Sequence, residues 1–152
     1  MKSLRTLACA LVALAVAAGP ALATEQLFHK ADGPEILSDF DGKPLWQLQA
    51  VCAGFHGATA NYYQRNGEAA KASASEAAGV AALNDAVAKI RRDRNLDDAA
   101  ATKVAEPIVT VGGRAIAEIL RTDGVPSNGS GRWNYWRSFC IDAKATFNKV
   151  SN

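Results

Sequence analysis

Few side chains in this 152-residue sequence could carry chemistry. Cysteines stand at 9, 52 and 140, histidines at 29 and 56, and the one methionine is Met1. Cys9 falls inside an apolar N-terminal run, which leaves Cys52 and Cys140 as an even pair. Metal and redox motifs place their cysteines within a few residues of each other, whereas these two lie far apart. The spacing therefore predicts a structural disulfide, worth about 4–5 kcal/mol in the chain-entropy model. His56 sits four residues beyond Cys52, one turn on along a helix. A cysteine and a histidine so placed could act as nucleophile and base, which makes a thiol-active enzyme using Cys52 the alternative function. The plainer reading is a bundle histidine beside a structural bridge, with His56 as a second-choice binding residue.

Cofactor chemistry finds no ligands here. A c-type haem needs Cys-x-x-Cys-His, and no such run occurs. The Glu-x-x-His pairs of di-iron bundles are missing, and two cysteines and two histidines make a poor zinc set. No Gly-rich phosphate loop, His-Glu-x-x-His run or Ser-His-Asp order is present. The expectation is no cofactor, no metal and no catalytic residue.

What remains is a set of aromatic and arginine side chains, the types enriched at binding hot spots. Tyr62 and Tyr63 close one apolar-periodic segment, and Arg132, Trp133, Tyr135, Trp136 and Arg137 open another. Tyr62, Tyr63, Arg132, Tyr135 and Arg137 are the candidate binding surface. The competing reading is an aromatic plug in the core, with Trp136 buried and Tyr135 and Arg137 at its edge.

The elements that must position these residues follow from periodicity. Leu45, Leu48, Cys52, Phe55, Thr59 and Tyr62 step by three and four, one face of a helix over 44–65. A second stripe, Trp46, Gln49, Ala53, His56, Ala60 and Tyr63, gives this helix two contact faces and a central place. Ala50, Gly54, Gly57 and Ala58 keep it thin enough for a close neighbour. An Ala-rich helix over 68–94 follows, with Ala70, Ser73, Ala77, Val80, Leu83, Val87 and Ile90 as its stripe. Its last turn carries Lys89, Arg91, Arg92 and Arg94, cations that suit a helix C-terminus.

Asp97 is placed to cap a third helix reaching about Arg121, its stripe Ala101, Val104, Ile108, Val111, Ala115 and Ile119. Pro107 should kink or break that helix near Ala105–Glu106. After a Gly/Pro/Ser/Asn loop, a fourth helix over 132–150 carries Trp133, Trp136, Cys140, Ala143, Phe147 and Val150 on one face. Cys52 and Cys140 fall near the middles of the first and last helices. These are antiparallel neighbours in an up-down-up-down bundle. The predicted fold is all-α: a four-helix antiparallel bundle at 44–152, an N-terminal arm at 24–43, and one disulfide between first and last helices.

One segment offers a different architecture. Leu37-Ser38-Asp39-Phe40-Asp41-Gly42-Lys43-Pro44-Leu45, with a cysteine at 52, resembles the lead-in to the catalytic strand of exported thioredoxin-like proteins. The resemblance covers about sixteen residues and implies a strand on which Trp46, Leu48, Ala50 and Cys52 alternate. The family's Cys-x-x-Cys is missing, because Ala53, Gly54 and Phe55 follow Cys52, so no catalytic residue carries over.

Residues 1–23 have the three parts of a cleavable signal peptide. Lys2 and Arg5 start it, Leu7–Ala18 is too short an apolar run to span a bilayer, and Ala21-Leu22-Ala23 offers the cleavage site. Removing it takes away two of the 17 basic residues and leaves 15, which balance the 15 acidic ones. A net charge of +2 thus becomes zero, and no global basic field remains for nucleic acid. The expected function is that of a small exported, periplasmic, non-enzymatic protein that binds another protein or a small ligand. Export makes a first prediction: N-terminal sequencing of the exported protein reads from Thr24, and material retaining residues 1–23 contradicts it.

Overall fold

The computed structural model describes residues 43–151. The leader, and the arm apart from Lys43, lie outside the described residues. Four helices follow one another: α1 (Leu45–Arg65), α2 (Ala69–Arg94), α3 (Asp98–Asp123) and α4 (Gly131–Ser151). No strand occurs among the described residues, so the thioredoxin-like strand at Trp46–Cys52 is overturned; these residues lie in α1. The reason is burial on every side. Every residue from Gln49 to Phe55 is buried, which a helix inside a bundle achieves and an alternating strand with one wet face does not.

Local chemistry fixes the helix ends. The Asn66 side chain donates a 2.8 Å hydrogen bond to the Tyr62 carbonyl, and Gly67 takes the left-handed backbone that ends α1. Asn95 does the same for α2 with φ 51° and ψ 49°. Asp97 caps α3 by accepting from the Ala100 N–H at 2.8 Å.

Contacts along α1 give the directions. The Lys71 ammonium lies over the Tyr63 ring and Arg94 over the Trp46 ring, so α2 runs antiparallel to α1. Val51 and Gly54 meet Gly112 and Gly113, while Tyr62 reaches Gly124, so α3 runs parallel to α1. Gln49 donates to the Ala143 carbonyl at 3.0 Å, Cys52 is bonded to Cys140, and the Trp133 indole N–H donates to Thr59 Oγ1 at 3.1 Å, so α4 runs antiparallel. This is the up-down-up-down order. The centre is α1, which packs against all three other helices.

Two stripes differ from the sequence reading. In α2 the buried residues are Ala72, Gly79, Ala82, Ala86 and Ile90, while Ala70, Ser73, Ala77 and Val80 are exposed. Close packing selects the smallest residues: the backbone of α2 passes His56 at Gly79, where a side chain would meet His56 Cβ at 3.2 Å. In α3 the buried line is Ala101, Ala105, Ile108, Gly112, Ile116, Ile119 and Leu120, turned to bring Gly112 onto α1. The break expected at Pro107 does not occur, and α3 is one continuous helix. Lys103 and Pro107 both lie on its exposed face, where water can solvate a carbonyl that loses its N–H partner.

The tightest point is between α1 and α3. A methyl group at Gly54 would lie 2.3 Å from the Val109 carbonyl oxygen and 2.6 Å from the Gly113 nitrogen, both backbone atoms that cannot swing aside. A methyl at Gly57, three residues on, would meet nothing within 4 Å. Gly54→Ala is therefore expected to destabilise by about 2–3 kcal/mol through overpacking. Gly57→Ala should stabilise by about 0.5–1 kcal/mol through helix propensity. Urea unfolding of the two variants checks the pair, and equal effects would contradict this account of the α1–α3 contact.

Candidate functional site

The middle of α1, from Gln49 to Phe55, is buried, and towards its C-terminus the helix is less covered. An ion pair between Asp85 of α2 and Lys144 of α4 ties the two flanking helices together over α1. Beyond this bracket, towards the C-terminus of α1, a groove of about 440 Å³ opens between them. Phe55, His56, Thr59 and Tyr63 of α1 form its floor. Lys71, Ala74, Ser75 and Ala78 form one wall, on a single face of α2, and Trp133, Arg137 and Ile141, spaced by four, form the other on α4. The α2 wall has only short side chains apart from Lys71, so it cannot fill the space that its separation from α4 leaves.

The floor is held firmly. The rings of Phe55 and Trp133 lie 5.8 Å apart, and the Trp133 indole is anchored on Thr59. His56 meets the edge of Phe55 at 5.0 Å. Burial pushes the His56 pKa below its ordinary value of 6.5, so its imidazole is neutral at pH 7. Burial also raises the Tyr63 hydroxyl pKa, an effect opposed by Lys71 and Arg137. Lys71 pairs with Glu68, which raises its pKa. Arg137 is exposed at the groove wall.

The candidate surface read from the sequence is divided by this geometry. Tyr63 and Arg137 share the groove with the second-choice residue His56. Tyr62 lies elsewhere on α1, near Gly124, where an added side chain would meet its hydroxyl at 3.3 Å. Arg132 grips Asp123 through two hydrogen bonds of 2.8 and 3.0 Å and Thr122 at 3.0 Å, which locks the start of α4 to the end of α3 and lowers the Asp123 pKa. Tyr135 is half-buried against the hydrophobic core. Lys71, Ala74, Ser75, Ala78 and Ile141 were not singled out from sequence. The one available signal was Ile141, a large apolar residue off the α4 stripe and 53% exposed.

Comparison with known proteins brings no match. No family model, curated protein or solved structure is significantly similar to this chain. The residues themselves must carry the functional argument. Cys52 and Cys140 are buried, with Cα atoms 5.5 Å apart in the disulfide, so the sulfur of Cys52 is bonded rather than available to His56. Among the described residues no three His, Cys, Asp or Glu side chains converge as a metal site requires.

His56 also makes stability depend on pH. Its folded pKa is depressed, so the unfolded chain takes up the proton first. The contribution is present in full above the unfolded value of 6.5 and is lost as pH falls through 6.5 towards the folded value. Wild-type protein should therefore lose more stability between pH 7.5 and 5.5 than His56→Gln does. Denaturant unfolding at both pH values measures it, and identical losses contradict a depressed His56 pKa.

Proposed function

We propose that this chain is a small exported protein without catalysis of its own, which acts by binding and does so in the α2–α4 groove. The observation that carries this is the groove itself, a concave opening between α2 and α4 with firmly held side chains beneath it. Ligand sites have this character: concave, mainly apolar, preformed, with a few convergent polar groups. Tyr63, Lys71 and Arg137 supply those groups here.

Export to the periplasm, with cleavage after Ala23, fits the remaining facts. Disulfides persist in oxidising compartments, and no helix among the described residues is long and apolar enough to cross a membrane. A buried bridge also favours a structural part for Cys52 over a thiol-active enzyme.

The test compares three variants as bait for partners in the exported fraction, with Trp136→Ala as a stability control. Ala78→Trp fills the groove and should abolish capture of what the wild type retains, whereas Val80→Trp, on an outward face, should not. Arg137→Ala should weaken binding by about 1–2 kcal/mol and leave the melting temperature nearly unchanged. Trp136→Ala should instead lower stability by about 3–5 kcal/mol, because Trp136 is almost fully buried on the core face of α4. Capture that is indifferent to Ala78→Trp would move the site elsewhere.

A further inference from the structure

We infer that the groove binds a small carboxylate with an apolar body, with the anion held by Arg137 near Tyr63 and Lys71 and the apolar body packed against Ala74, Ala78 and Ile141. This rests on the reading of the groove as the binding site and names the class of ligand it takes.

The charge around the groove is one-sided. From α1 the titratable groups facing it are His56 and Tyr63, from α2 Lys71, and from α4 Arg137. No carboxylate lines it, and the nearby Glu68 is committed to Lys71. One acid thus balances one of two cations and leaves a net positive charge, although the mature chain as a whole is neutral. A guanidinium presents a planar fork that matches a carboxylate in a way an ammonium does not, which puts Arg137 at the centre of recognition.

The apolar part lies at the rim. Phe55 and Trp133 are buried beneath the groove, where they pack on each other and the Trp133 indole donates to Thr59. The apolar surface open to a ligand is Ala74 and Ala78 of α2 and the exposed Ile141 of α4. The volume of about 440 Å³ lies towards the small end of the ~300–1,000 Å³ of ligand pockets, which suits a small ligand.

The test uses the mature chain and four probes: 3-phenylpropanoate, its neutral amide, acetate and inorganic phosphate. Binding is read by calorimetry and by the indole N–H resonance of Trp133 in ¹⁵N spectra. The expected result is that 3-phenylpropanoate binds and shifts the Trp133 signal, with the amide and acetate each about tenfold weaker or more. Arg137→Gln should bring the acid down to the level of the amide and leave the amide unchanged. Acid and amide binding equally, phosphate competing as well as the ringed acid, or no binding of the acid at all would each overturn the inference. If the ringed acid fails while Ala78→Trp still abolishes capture, the ligand class is wrong and the groove reading stands. If both fail, the groove reading falls too.

Discussion

The backbone contact between α1 and α3 at Gly54 sets the spacing of the rest of the bundle. Two helices that touch through glycine approach more closely than helices separated by side chains, whose axes stay ~8–10 Å apart. Gly112 and Gly113 meet Val51 and Gly54 there, and α1 is drawn into the middle of the molecule. Once it is central, its side chains from Gln49 to Phe55 have no route to water. The buried Gln49 amide must then find a partner, and it donates to the Ala143 carbonyl of α4. Cys52, three residues on, lies against Cys140 on the same helix. The polar bond and the covalent one both follow from the position of α1.

The groove is the other side of this arrangement. A central helix with three neighbours is covered only as far as the neighbours reach round it. At Asp85 and Lys144 the flanking helices come within reach of an ion pair. A partly exposed pair of this kind contributes at most about 1 kcal/mol, so it marks where α2 and α4 meet more than it holds them there. Beyond it, apart from Lys71, α2 offers only Ala and Ser to the groove, and small side chains cannot close the gap. The residues that give α2 its helical propensity are therefore the ones that leave α1 open.

Much of this was legible in the sequence. The two stripes of the first helix, 100° apart, implied a buried centre. The parity and helical register of Cys52 and Cys140 implied the disulfide, and Asp97 and the Gly/Pro-rich loop marked helix limits. The rotation of α2 was not legible, because alanine and serine occur on all its faces and give no amphipathic signal; Gly79 and His56 settle it only in three dimensions. Pro107 leaves α3 unbroken because its cost depends on which way the freed carbonyl points. The aromatic cluster is divided in space because residues close in sequence point to different sides of α4. Trp133 and Arg137 face the groove, while Arg132 between α3 and α4 and Tyr135 against the core have other tasks.

The disulfide has a further consequence wherever the chain meets proteases. Cys52 precedes every connection between helices and Cys140 follows every one, so the bond closes a covalent ring that contains all three. A single cut at residues 66–68, 95–97 or 124–130 turns that ring into a linear tether without releasing a fragment. A nicked molecule keeps its four helices on one covalent body, and the pieces part only on reduction. In surroundings rich in proteases the bridge therefore acts as a clasp, and the exposed loop with Ser127, Asn128 and Gly129 can be clipped without the bundle losing any of its parts.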